Sequence, residues 1–307
     1  MKLEGIHHVT AITADAARNV SFYAGTMGLR LVKKTVNQDD ATVYHLFYAD
    51  EKGSPGADLT FFEYPGASKG HAGAGMVHRI VWRVASQDAM FFWGERLSSH
   101  GIDSHLDDEH LRFRDFEGLE FELRVVETSD PPLRAEHPEV PSQFAITGFD
   151  GVRAYSARAD DSATLLATIL EFQPVSDTEW SSRGSERGSL YGYDFPPIND
   201  GVAGAGTVHH VAWACPTQDH QAWRDKLSRA GVDVTPVIDR FYFRSIYFRE
   251  PSGVLFEIAT MGPGFNSDEP IESLGQRLSL PPKFEHLRSR LEKSLTPLPD
   301  PRSQPLV

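Results

Sequence analysis

An α+β fold made of four βαβββ modules is the architecture this 307-residue chain predicts. Three observations carry it. Four strand-like segments open in the same way, at 5–13, 76–84, 148–157 and 207–214. Each leads through a polar cluster into an amphipathic run, at 15–27, 86–100, 160–170 and 217–230, the pattern of a helix with one buried face. Two hairpins also repeat one another, Phe113-Arg114-Asp115-Phe116-Glu117-Gly118-Leu119-Glu120-Phe121-Glu122 and Phe248-Arg249-Glu250-Pro251-Ser252-Gly253-Val254-Leu255-Phe256-Glu257. Such internal repetition bears on the whole fold.

The elements follow in chain order. Asp, Ser or Thr stands at each helix entry, where a side-chain oxygen can accept the unpaired first-turn amides. Three helices leave through glycine and then an apolar residue, at Gly28-Leu29, Gly101-Ile102 and Gly231-Val232, because glycine tolerates the left-handed conformation that ends a helix. Behind the helices lie β-rich stretches, 42–49 with 58–64, 112–115 with 119–126, and 241–250 with 254–260. Proline and charge interrupt the pattern at 131–141. The expected division is an N-terminal domain over 1–135, a C-terminal domain over 145–262, each of two modules, and a proline-rich tail over 263–307 with a short helix at 283–295.

Bulk composition excludes several functions. Hydrophobic content of 40% and charged content of 24% are those of a globular protein. The formal charge of -13 argues against nucleic acid and against an anionic membrane, both of which require concentrated Lys and Arg. No apolar run approaches the ~18 residues needed to cross a bilayer. The opening Met1-Lys2-Leu3-Glu4 shows no signal-peptide pattern, and a cytoplasmic protein is expected. The single cysteine, Cys215, excludes an intramolecular disulfide and fits a reducing compartment. It sits in an apolar strand and is read as core filling.

The chemistry concentrates at the two ends of the repeat. Gly5-Ile6-His7-His8-Val9-Thr10 opens the chain, and Val208-His209-His210-Val211-Ala212-Trp213 precedes the hairpin ending in Glu257. Two histidines and a carboxylate form the ligand set of an open non-haem iron site, which leaves coordination positions for substrate and dioxygen.

On these motifs the chain, over residues 3 to 262, resembles the vicinal-oxygen-chelate superfamily of glyoxalase I, bleomycin-resistance proteins and extradiol dioxygenases. It is most similar to the branch of hydroquinone-type ring-cleaving dioxygenases. The resemblance implies modules paired into two open, cupped β-barrel domains, with metal ligands on His8, His210 and Glu257. It places residues around the metal and substrate at His7, Thr10, His209, Arg240 and Tyr247, and Leu280-Pro281-Pro282-Lys283-Phe284 is similar to the family's C-terminal segment. It further implies one Fe(II) per chain, with Mn(II) suited to the same donors, a small aromatic diol and O2 as substrates, and a homo-oligomer. Arg240 would hold a phenolate, and Tyr247 would hydrogen-bond a substrate oxygen.

Overlaying the four copies sets His8 on Gly151, His210 on Arg79 and Glu257 on Glu122. Glycine has no side chain to coordinate with and arginine has no lone pair, so only one cup should hold a metal, and Glu122 is read as an ion-pair or surface residue. Strand alternation sends His7 and His8 to opposite faces, and likewise His209 and His210. Thr10 then shares the face of His8. Phe61-Phe62 and Phe91-Phe92-Trp93 are expected in the core, and 66–75, despite His71, as a flexible link. Three competing functions stay open: extradiol catechol cleavage, a glyoxalase-type lyase requiring a fourth protein ligand, and a metal-free binding protein.

Overall fold

The computed structural model describes residues 1–300; the end of the expected tail lies outside them. All four modules are present. The first comprises β1 (Ile6–Thr13), α1 (Ala16–Val20) running on as a π-helical turn, β2 (Arg30–Val36), β3 (Tyr44–Ala49) and β4 (Asp58–Glu63). The second comprises β5 (Val77–Val84), α2 (Gln87–Ser99), β6 (Ser104–Leu106), β7 (His110–Arg114) and β8 (Glu120–Val125). The third has β9 (Phe149–Tyr155), α3 (Asp160–Ala163) with its own π-helical extension, β10 (Gln173–Ser176), β11 (Glu179–Arg183) and β12 (Gly188–Asp194). The fourth has β13 (Val208–Cys215), α4 (His220–Arg229), β14 (Ile238–Asp239), β15 (Arg244–Arg249) and β16 (Leu255–Thr260).

Local chemistry explains most helix boundaries. Asp15 accepts from the Arg18 amide and Ser86 from the Ala89 amide, but α3 and α4 carry no side-chain cap, contrary to the expectation of one at every entry. Gly28, Gly101 and Gly231 all adopt left-handed backbone beyond their helices. The third module uses Glu171 there, with φ of 61°.

Two eight-stranded mixed sheets result, each an open, curled half-barrel. Their membership differs from the expected division. One sheet runs β14-β15-β16-β13-β1-β4-β3-β2 and the other β10-β11-β12-β9-β5-β8-β7-β6. The first module therefore pairs with the fourth and the second with the third, and the boundaries 1–135 and 145–262 cut across both sheets. The cause is the central ladder of each sheet: β1 pairs antiparallel with β13, and β5 with β9. The apolar faces of both sheets and the helices share one core, with Trp82, Trp93, Trp213 and Trp223 fully buried. Cys215 belongs to it, and burial pushes its thiol up to about 12, which leaves no reactive thiolate.

Past β16 the chain returns over the outer strands of the first sheet. Lys33, fully buried on β2, donates to Asp268 at 2.8 Å and to Glu269, and Tyr242 donates to Asp268 at 3.0 Å. The expected tail helix appears as a 3-10 turn over Pro282–Leu287 and α5 (Arg288–Ser294). No helix among the described residues is long and apolar enough to cross a membrane.

Removing the lysine charge strands a buried carboxylate, a change that costs several kcal/mol. Lys33→Met is expected to lower unfolding stability by about 3 kcal/mol, read from urea denaturation; an unchanged midpoint would show that the tail contributes nothing to the folded state.

Candidate metal centre

The β1–β13 ladder carries two bulges, and they fall on His7 and His209. Ile6 pairs with Trp213 and His8 with Ala212, so β1 has one extra residue; Thr10 pairs with His210 and Ala11 with Val208, so β13 has one extra residue further along. A bulge re-aims side chains that a regular strand would send to opposite faces. The alternation expected of His7 and His8 is broken accordingly. The two rings meet edge-on with their Nδ1 atoms 3.0 Å apart, and the Nδ1 atoms of His209 and His210 lie 2.8 Å apart.

Both pairs orient the second histidine. Burial, then the charge of His8, pushes His7 down to about 3; burial, then His210, pushes His209 down to about 4. Neutral His7 donates one N–H to the Thr260 carbonyl, which leaves a lone pair to accept from His8 Nδ1–H. The same arrangement in the second pair leaves the His210 lone pair on Nε2. Such outer partners fix ligand tautomers at metal sites.

His8 Nε2 and His210 Nε2 then stand 3.2 Å apart and lie 3.3 and 3.0 Å from Glu257 Oε2. Glu257 is on β16, beside Ala212 in the parallel register with β13. The three residues are buried and their donor atoms can share one ion. Ligands about 2.1 Å from a common metal at right angles are separated by about 3.0 Å, which matches this triangle. Both Glu257 oxygens are buried without a directed hydrogen-bond donor, a costly state unless a cation compensates it. Burial alone would raise its carboxyl; the close approach of the His8 and His210 rings outweighs that and holds it well below the usual carboxylate range. A divalent cation fits this donor set. Among the described residues the other candidate group is His7, His8 and Asp58, which shares His8; no further protein donor joins the triad.

The triad floors a cavity of about 330 Å³ walled by Phe62, Phe243, Leu255 and Val36, with Asn37, Gln38, His45, Arg240 and Tyr247 among its polar residues. Thr10 Oγ1 reaches His210 Nε2 at 3.0 Å. Tyr247 pairs directly with Glu257 across the β15–β16 hairpin, and its oxygen accepts from Arg240 Nε at 3.3 Å. The Arg240 terminal nitrogens face outward, holding both oxygens of Asp39 at 3.0 Å. In this arrangement Arg240 acts on the cavity through Tyr247.

Sequence reasoning missed Asp39, His45, Asp58 and Thr60. Their signal lay in polar residues interrupting apolar strands: His45 on β3, and Asp58 and Thr60 on β4. The aromatic pairs divided: Phe61 is core, but Phe62 packs against His45 and His209 in the cavity. Trp93 is buried, whereas Phe91 is exposed. The loop around His71 is pinned, pairing with Val202.

The second sheet repeats the template without the donors. Its register sets Gly151 beside Val81 as His8 sits beside Ala212, and Arg79 and Glu122 take the places of His210 and Glu257. A Cβ at residue 151 would overlap the Leu190 carbonyl. Glu122 is buried and engaged by Arg79 at 3.3 Å, Arg112 at 2.9 Å and Arg124 at 3.0 Å, an ion pair rather than a surface residue.

Comparison with known proteins identifies the family and the fold. The family model described as the Glyoxalase/Bleomycin resistance protein/Dioxygenase superfamily matches residues 5–123 and 117–258. Two Bacillus subtilis (strain 168) proteins, provisionally named as ring-cleaving dioxygenases, align along nearly their whole length: MhqA at 38% identity over 97% of this chain and 100% of its own, and MhqO at 40% over 96% and 97%. The chlorohydroquinone/hydroquinone 1,2-dioxygenase of Sphingobium indicum is 30% identical over 96% of each chain. A crystal structure from Bacillus subtilis subsp. subtilis str. 168, provisionally titled a dioxygenase, superimposes with a TM-score of 0.91 at 38% identity, covering 97% of this chain and 98% of that one. Glyoxalase I from Zea mays shares the fold, with a TM-score of 0.58 at 14% identity over 84% and 92%.

Calorimetric titration with Mn(II) should resolve one site per chain. Glu257→Ala is expected to abolish it, and His7→Ala, which removes only the orienting partner, to weaken it on the order of 10- to 100-fold. Unaltered affinity in His7→Ala would remove the orienting role.

Proposed function

The chain belongs to the glyoxalase/bleomycin resistance protein/dioxygenase superfamily, and we propose that it is an Fe(II)-dependent dioxygenase that opens the ring of a hydroquinone-type aromatic diol. The observation that carries this reading is the buried triangle of His8, His210 and Glu257 donors, 3.0–3.3 Å on each edge, at the floor of a cavity sized for a small ligand. The similarity to a hydroquinone dioxygenase along almost the whole chain supports the substrate class. With three protein donors, sites remain for substrate and oxygen. His8, His210 and Glu257 would hold the iron. Bound there, iron would supply the electron-transfer chemistry that lets a closed-shell diol react with ground-state dioxygen.

The chain's own residues bind and orient the diol. Phe62, Phe243 and Leu255 offer apolar surface to a ring and exclude water. Thr10 stands beside the triad, where its hydroxyl can exchange a hydrogen bond with a diol oxygen. Burial, then the charge of Glu257, raises the Tyr247 phenol, so it remains protonated. Because its oxygen accepts from Arg240, its O–H is left to donate to the substrate. Asp39 and Tyr247 together fix the Arg240 guanidinium, so this donor is positioned before substrate arrives, the condition under which hydrogen bonds contribute most to catalysis. A homo-oligomer of cytoplasmic location is consistent with this reading.

Oxygen uptake by protein loaded anaerobically with Fe(II), offered hydroquinones and catechols in parallel, tests the proposal. Uptake with hydroquinones that is absent in His8→Ala is the expected result. Uptake with catechols alone would retain the site and move the substrate class; no uptake by demonstrably iron-loaded protein would dismiss ring cleavage. Tyr247→Phe is expected to lower kcat on the order of 10²-fold with iron content unchanged, and an unaltered kcat would remove Tyr247 from the mechanism.

A further inference from the structure

A chain of hydroxyls leads away from the triad. Thr10 Oγ1, beside His210, lies 2.8 Å from Thr60 Oγ1, and Thr60 Oγ1 lies 2.9 Å from His45 Nε2. Parallel pairing of β1 with β4 sets Thr10 directly opposite Thr60, and His45 stands diagonally across on β3. Both threonines are fully buried, so no water reaches them to carry a proton. A hydroxyl both donates and accepts, and imidazole likewise offers one nitrogen of each kind. The His45 ring is packed between Phe47 and Phe62, with centroids 3.9 and 4.4 Å away. It is nevertheless partly exposed and lines the cavity.

We propose that Thr10, Thr60 and His45 form a proton relay that carries a hydroxyl proton from a ligand at the triad to the outer part of the cavity. This rests on the functional reading above, in which an aromatic diol binds through a hydroxyl. An aromatic hydroxyl that joins the triad becomes phenolate and must lose its proton. The nearest imidazoles cannot take it, since His7 and His209 are committed to the Nδ1 atoms of their neighbours. In the relay the substrate O–H breaks as an O–H forms on Thr10; Thr10 gives its own proton to Thr60, and Thr60 gives its own to His45 Nε2. The imidazolium then loses the Nδ1 proton to water in the cavity, restoring a neutral ring. Two hydroxyls and one neutral ring remain, the ring now as its Nε2–H tautomer, and the net change is one phenol ionised and one proton released; a proton passing back along the same path restores the starting tautomer.

The test follows nitrohydroquinone, whose phenolate absorbs in the visible, mixed anaerobically with Fe(II)-loaded protein by stopped flow. Phenolate should appear more slowly in His45→Ala and in the isosteric Thr60→Val, by a factor on the order of 10², with metal affinity unchanged. Added imidazole should restore the rate in His45→Ala but not in Thr60→Val, and the native reaction should show a solvent isotope effect. Native rates in both variants would overturn the relay while leaving the functional reading intact. Weakened metal affinity in both would reassign the three residues to holding the site and would also overturn it. If native protein neither binds nor ionises the probe, the functional reading fails and the relay falls with it.

Discussion

The antiparallel ladder between β1 and β13 is the constraint on which the site depends. It joins residues about 200 positions apart in the chain, and its two bulges turn a pair of His-His dipeptides so that each ligand histidine meets the ring of its neighbour. Without the bulges His7 and His209 would face away, and neither ligand histidine would have a partner for Nδ1. Glu257 is added by the parallel pairing of β16 with β13. Three donors thereby converge where their side chains are buried, and an uncompensated carboxylate there is expensive. The geometry and the electrostatics favour the same occupant, a small divalent cation.

The second sheet shows what the same scaffold does without one. Bulges recur there at His78 and Asp150, so the backbone template is shared. The carboxylate position is retained as Glu122, but guanidinium groups supply its compensating charge. Arg79 occupies the place that His210 holds in the first sheet, and its guanidinium is a cation that is covalently attached. Glycine at 151 admits a close approach of the neighbouring strand that a ligand side chain would prevent. One sheet therefore presents a buried acid with room for a cation beside it, and the other compensates its buried acid with side chains.

Much of this was legible in the sequence. The βαβββ repeat and the helix-ending glycines follow from periodicity, whereas His8, His210 and Glu257 were marked by their motifs and by the family resemblance those motifs carry, with the overlay of the copies as a check. Which modules share a sheet was not legible from chain order, because adjacency in sequence favoured consecutive modules whereas the central ladders join the first with the fourth. The overlay did contain the answer, since it drew a triad from those same two copies. Strand alternation failed at His7 and His209 because a bulge depends on the partner strand. His45 and Thr60 escaped for a related reason: each shows on its own strand only as a polar residue among apolar ones, and only lateral pairing of β1, β4 and β3 aligns their polar atoms.

The nested pairing of modules has a consequence for how the molecule comes into being. The inner pair, second with third, joins neighbouring stretches, whereas Thr10 and His210 meet across a separation of 200 residues. Closing so long a loop costs entropy that must be spent before its contacts repay it. β1 precedes β13 in the chain, so the edge of β1 that faces β13 stays unpaired until β13 has been made. The inner sheet can be complete while the catalytic one is half-formed. The proposed centre, which draws its donors from β1, β13 and β16, is therefore complete only once the chain through β16 has been made.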